Sequence, residues 1–300
     1  MNNVKNSKKE RIAIISVASN LALIIMKIIA GILSGSVSII SEAIHSSVDM
    51  VASLIALISV KLSSKPADKK HPYGHGKIEN ISGVIEGVLI FIAAYLIIKE
   101  AIDKILHPTD IDDTLIGIGV MIISAVVNAV VAKFQYKIAR AEDSVALEAD
   151  ALHHKTDVYT SLGVGLGLLL IKLTGIDVLD PIVAILVALL IIKESWVLCR
   201  HALNPLLDMK LPDEEEGKIE EIMNCYKDEI IDYHMLKTRK SGHMKYIEFH
   251  MTVSAELTVR ESHDLCERIE KALEEALANT SVSIHIEPGT PVESAITVGD

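Results

Sequence analysis

Aromatic side chains are scarce in this 300-residue chain: one Trp, three Phe and seven Tyr make up 4% of it, although half of the residues are hydrophobic. The apolar content therefore comes from Ile, Leu, Val, Ala and Met. With a mean hydropathy of +0.39, this profile suits lipid better than an ordinary soluble core. Cysteine is nearly absent too. Cys199, Cys225 and Cys266 are odd in number, widely spaced and without a CxxC, which excludes a disulfide framework and implies reduced thiols in or near the cytosol. No HExxH occurs. No small-residue cleavage site separates the basic start "MNNVKNSKKER" from the apolar run behind it, so no cleavable secretory signal is expected.

Lysine and arginine are missing from particular places. Six stretches have roughly the 20 residues a bilayer span needs: Ile12–Leu33, Val37–Leu62, Ile78–Ile98, Leu115–Phe134, Ala146–Leu173 and Ile182–Leu198. The second and fifth hold several ionisable groups and score weakly in a hydropathy window, yet both lack proline and read as continuous helices. The connections "SGSV", "HPTDIDD" and "TGIDVLDP" are nearly free of Lys and Arg. The alternate ones carry Lys65, Lys69, Lys70 and Lys77, then Lys133, Lys137 and Arg140, and Lys5, Lys8, Lys9 and Arg11 precede the first span. The positive-inside rule then puts both termini in the cytoplasm, which agrees with six spans of a cell (inner or plasma) membrane protein.

The net charge of −11 is carried by the end of the chain. Residues 1–204 hold 19 basic and 19 acidic groups, whereas residues 205–300 hold 10 and 21. A neutral six-span domain over 1–204 and an acidic cytosolic domain over 205–300 are expected. Acidity disfavours nucleic acid as a partner and is compatible with cations, or with solubility alone. In the second part "DEEEGKIEEIMNC" reads as an acid-started helix, "DYHMLKTRK" and "KYIEFHMTV" as strands about the turn "SGH", "TVRESHDLCERIEKALEEALA" as an amphipathic helix and "SVSIHIE" as a strand. That is a small α+β domain.

Charge at membrane depth costs several kcal/mol unless it is paired or faces a polar cavity, so ionisable groups inside spans draw attention. His45 and Asp49 in "SEAIHSSVDM", and His153 and Asp157 in "ALHHKTDVYT", are each four apart. Each pair therefore lies on one helical face. Two such faces in contact supply two nitrogens and two oxygens, a set suited to tetrahedral zinc and tolerable for other divalent metals. Two carboxylates neutralise one divalent cation, whereas the empty site crowds two negative charges in low dielectric. Protons are then expected to replace the metal, which couples the two flows. A polar clamp between helices is the simpler reading of either pair alone. His154 is turned about 100° from His153 and is expected to miss the site, Lys155 to snorkel or pair with an acid, and Glu42, Glu86 and Asp150 to pair with other helices or line an access path.

Asp68, His71 and His75 in "KPADKKHPYGHGK" have metal-ligand chemistry in a glycine-bearing loop. In the acidic domain, strand alternation puts Glu248, His250 and Thr252 on one face, and Ser283, His285 and Glu287 on the same open face. His234 and His263 are further candidates there.

These pairs, "HSSVD" and "HHKTD", together with six spans and a small acidic C-terminal domain, resemble the cation diffusion facilitator family over essentially the whole chain. The resemblance implies a homodimer that expels divalent metal from the cytoplasm in exchange for protons, with His45, Asp49, His153 and Asp157 as the transport site. Many members have aspartate at the position of His45. Histidine in both pairs is often associated with zinc preference, while relatives with a similar second span handle iron, so Zn2+ leads and Fe2+, Mn2+ and Cd2+ stay open. The resemblance also implies a peripheral metal site at Asp68, His71 and His75, and an ion pair from Lys77 to an acid after the last span, here Asp208. It further implies a ferredoxin-like, metallochaperone-like C-terminal domain that binds regulatory metal through His234, His250, His263, His285 and Glu287, often across the dimer, Glu287 standing where several members have aspartate. Two other classes remain: a membrane-embedded metalloenzyme, which would need an open coordination position and a general base, and a sensor whose spans only anchor it.

Overall fold

The computed structural model describes residues 2–34, 37–106, 115–174 and 178–289. The chain divides into two compact units, residues 1–204 and 205–300.

Among the described residues, six helices build the first unit: α1 (Asn2–Ser34), α2 (Val37–Ser63), α3 (Lys77–Leu106), α4 (Leu115–Glu142), α5 (Val145–Thr174) and α6 (Leu179–Leu203). Among the described residues four segments are long and apolar enough to cross a membrane, Lys8–Leu33, Lys77–Leu106, Gly119–Glu142 and Pro181–Leu207, rather than the six expected. The two helices missing from that set, α2 and α5, are those that carry the histidine–carboxylate pairs. α5 packs against α2, α3, α4 and α6, and α1 against α2 and α4. Large apolar side chains stay exposed on the outward faces, such as Ile29 and Leu33 on α1, Ile92 on α3 and Leu186 and Trp196 on α6, as lipid-facing helices require.

The interior is unusually polar for so apolar a unit. Lys9 of α1 lies 3.4 Å from Glu79 of α3, both buried. The same carboxylate accepts hydrogen bonds from Ser63 of α2 at 2.8 Å and from Ser144, which precedes α5. One acid thus ties three helices and the α4–α5 connection, and its neutralising partner avoids the cost of a lone buried charge.

Glycine lets α3 and α6 approach closely. A Cβ built on Gly87 would stand 2.2 Å from Cys199 Sγ, and one on Gly83 would stand 3.1 Å from Ala202 Cβ. Gly87→Ala is therefore expected to destabilise the unit by about 1–3 kcal/mol, the usual cost of overpacking. Adding Cys199→Ala should restore most of it. Thermal unfolding of the purified single and double variants checks this: failure of the second substitution to rescue the first would mean that the helices move apart at another point.

The second unit contains α7 (Asp213–Cys225), β1 (Asp232–Ser241), β2 (Met244–Ser254), α8 (Val259–Ala276) and β3 (Thr280–Gly289). β2 lies in the centre, antiparallel to β1 and parallel to β3. Strand alternation sends Ile247, Phe249, Met251 and Val253 into a core with Ile219, Met223, Leu265, Ile269 and Leu273 from the two helices, and Val282, Ile284 and Ile286 pack against it. Thr258 and Glu261 form a reciprocal cap at the start of α8, which satisfies two helix-end donors. The opposite face of the sheet is left for polar side chains. Asp208, at the start of this unit, stands 3.9 Å from Arg239 on β1.

Candidate metal centres

Three groups of His and carboxylate side chains converge among the described residues. The first is inside the helical unit. His153 Nε2 of α5 lies 3.1 Å from Asp49 Oδ1 of α2, with both side chains buried. Asp157, one turn along α5, joins them, and one ligand atom from each of Asp49, His153 and Asp157 lies within 4.8 Å of the others. Bonds of 2.0–2.1 Å to a tetrahedral ion imply ligand–ligand edges of roughly 3.3 Å, so the 3.1 Å pair is already at that spacing and the third ligand needs only a short approach. His45 is one turn before Asp49 on α2; its side chain, like that of Glu42, lies outside the described residues.

Around this group runs a seam of polar side chains that the alternation of apolar residues had not brought to notice. Asn128 of α4 donates from Nδ2 to Asp157 Oδ2 at 3.2 Å. The amide's Oδ1 lies 3.1 Å from His154 Nδ1, and His154 Nε2 lies 2.8 Å from Ser16 Oγ of α1. Asp150, fully buried, accepts from Ser16 at 2.7 Å, from Ser53 of α2 at 2.6 Å and from Gln135 of α4. Asn20 donates to Ser53 at 2.8 Å. His154 therefore faces the seam rather than the ligand group, and Asp150 pairs with other helices, as expected of both. Lys155 reaches Glu194 at 3.4 Å, and Glu86, fully buried, takes the Ser82 hydroxyl of its own helix at 3.2 Å. The signal for the seam was present: Ser16 and Asn20 are four apart, and Asn128 and Gln135 seven apart, in otherwise apolar helices, spacings that put each pair on one face.

The second group lies in the loop between α2 and α3. Asp68 Oδ1 accepts the backbone N–H groups of Lys70 at 2.8 Å and His71 at 2.7 Å. These bonds, that of His71 first, hold its carboxyl below the usual carboxylate range, because hydrogen bonds to the charged form favour it. His71 Nδ1 stands 3.2 Å from Asp68 Oδ1, and His75 Nε2 stands 3.5 Å from Asp68 Oδ2. Gly74 makes the turn between the two histidines at φ +78°, where a side chain would be strained.

The third group is on the open face of the sheet. The register pairs His234 with His250 and His250 with His285, a row of three imidazoles across three strands. Glu287 reaches His250 Nδ1 at 2.8 Å and His234 Nε2 at 3.4 Å. The hydrogen bond from His250 holds its carboxyl below the ordinary range, and the field of the three histidines adds to this. A β-bulge follows His234 at Met235, whose φ is +53°; bulges of this kind re-aim side chains beside a site. His234, His250 and Glu287 offer ligand atoms within 4.8 Å of one another. The ring of His285 lies against that of His250, with centroids 4.6 Å apart, without joining that set. His263 is elsewhere. It sits exposed on α8, 3.3 Å from Glu267, and α8 packs on the core face of the sheet, so it does not reach this group within one chain. Asp232, 3.2 Å from His234 Nδ1, was not anticipated.

Known proteins resemble this chain along its whole length. The family model for the cation efflux transmembrane domain matches residues 13–207, and that for the cytoplasmic domain of cation efflux proteins matches residues 211–289. An uncharacterized transporter of Synechocystis sp. is 35% identical over 92% of this chain and 89% of its own. An uncharacterized transporter of Methanocaldococcus jannaschii is 34% identical over 93% and 98%, and the cation-efflux pump FieF of Salmonella arizonae is 31% identical over 99% and 98%. Two solved structures titled as a putative zinc transporter, CzrB, align with 26% of this chain and 90% and 98% of theirs, at 35% identity and TM-scores of 0.25 and 0.26. The chain thus belongs to the cation diffusion facilitator family: it is a cation efflux transporter of the membrane, with a cytoplasmic C-terminal α+β domain, and not an enzyme.

Proposed function

We propose that this transporter exports a divalent metal, Zn2+ first, from the cytoplasm in exchange for protons, through a site formed by His45, Asp49, His153 and Asp157. The observation that carries this reading is the approach of Asp49, His153 and Asp157 from two different helices to within 4.8 Å. Two imidazoles and two carboxylates suit a small, borderline-soft, tetrahedral ion, and the pair of acids neutralises it at membrane depth. When the ion leaves, the two carboxylates are like charges in low dielectric, and uptake of protons relieves them. Metal and protons then occupy the site alternately, which is the requirement for antiport by alternating access.

In this reading all six helices span the membrane, α2 and α5 being tolerated because their ionisable groups face the bundle interior. Both termini are cytoplasmic in a cell membrane. The second unit is ferredoxin-like and contributes to a homodimer. Its face with His234, His250, His285 and Glu287, and the loop group of Asp68, His71 and His75, bind regulatory metal. Fe2+, Mn2+ and Cd2+ are the competing cargoes.

Reconstituted vesicles test the proposal. An imposed pH gradient is expected to drive zinc flux with a stoichiometric change in an internal pH dye, and Zn2+ should outcompete the other three ions. Flux that is indifferent to collapse of the gradient would remove the antiport, and a different order of competition would reassign the cargo.

A further inference from the structure

Asp157 has one of its oxygens engaged before any cation arrives. Its Oδ2 accepts the Asn128 amide at 3.2 Å, and Asn128 is itself buried, at 6% exposure, on α4. An ionised carboxylate only accepts hydrogen bonds, so the amide must present its NH2 to Asp157 and its Oδ1 to the other side. There it meets His154 Nδ1 at 3.1 Å, which makes that ring nitrogen the donor. The other ring nitrogen, Nε2, lies 2.8 Å from Ser16 Oγ of α1. The amide thus has a partner on both sides and cannot turn over without losing its bond to Asp157.

Resting on the transport-site reading above, we infer that Asn128 is a positioning residue that fixes how Asp157 meets the cation and so contributes to metal selectivity. With Oδ2 held by the amide, Asp157 ligates through Oδ1 alone. Single-oxygen ligation at short distance suits four-coordinate Zn2+. A hard ion that prefers six oxygens, such as Mn2+, gains when the carboxylate can turn and offer both. Hydrogen bonds that orient metal ligands are commonly worth about 10–100-fold in metal affinity.

The test is flux through the full-length protein in vesicles, with Zn2+ and Mn2+ as the probes. Asn128→Ala is expected to raise the KM for zinc about tenfold, while the maximal rate changes by no more than about twofold. The zinc-over-manganese preference should fall by a comparable factor. Asn128→Asp keeps the shape, removes the donor and adds an oxygen, and should move the preference further toward Mn2+; it decides the matter if the alanine variant is recovered only as aggregate. KM and preference unchanged in a folded variant overturn the inference, as does a loss of maximal rate with unchanged KM and preference. Its failure is separable from that of the transport site. If wild type carries zinc and Asp157→Asn does not, the site stands whatever the Asn128 variants do.

Discussion

Asp49→Asn and Asp157→Asn are each expected to reduce zinc flux by about two orders of magnitude at subsaturating metal, a larger loss than His153→Gln produces. Charge separates the variants. In the proposed site, the two acids together neutralise the bound ion. With one acid the loaded site carries a net positive charge at membrane depth, a cost of about 2.5–3.5 kcal/mol by insertion measurements. At about 1.4 kcal/mol per tenfold, that is roughly 10²-fold in the occupancy of the loaded state. His153→Gln leaves the charge balanced and replaces one ligand with a weaker one. The empty protein should not suffer in either acid variant, since removing one of two crowded carboxylates relieves repulsion. Calorimetric zinc binding, vesicle flux and elution of the purified variants measure the three effects. Flux within threefold of wild type in Asp49→Asn would remove this residue from the cation's path.

The α5 pair was legible because a helix has a fixed period: residues four apart share a face whatever the neighbours are, so His153 and Asp157 could be grouped from spacing. The strands were legible by the same logic with a period of two, and Ile247, Phe249 and Met251 are buried as alternation requires. The sequence could not supply which helices touch. That Asn128 of α4 meets Asp157, or that Asp150 draws donors from α1, α2 and α4, depends on packing between segments distant in the chain. Residue type says less than position in the fold. Residue type groups His263 with the sheet histidines, but within one chain a helix covering one face of a sheet does not deliver a side chain to the other.

Asp150→Ala is expected to be the most destabilising single change in the helical unit, by about 3–5 kcal/mol, the usual cost of breaking a buried, charge-assisted network from one side. Three donors lose their acceptor together: the hydroxyls of Ser16 and Ser53 and the Gln135 amide. Each orphaned buried donor costs about 1–3 kcal/mol. Ser53 is spared the full penalty because its hydroxyl can turn to the Ser16 oxygen, 3.1 Å away. Asp150→Asn keeps the shape and one acceptor and should cost about half as much. Against a typical reserve of about 5–15 kcal/mol, the alanine variant will unfold or be proteolysed well before wild type. The flux of the molecules that do fold should fall no further than in the Asn128 variants, because among the described residues the hydrogen bonds of Asp150 lead toward the proposed ligands by way of Ser16, His154 and Asn128. Thermal unfolding alongside flux per folded molecule separates the two roles. A variant as stable as wild type yet inactive would show that this carboxylate serves the transport step directly, and that the seam is more than the scaffold holding α1, α2 and α4 around α5.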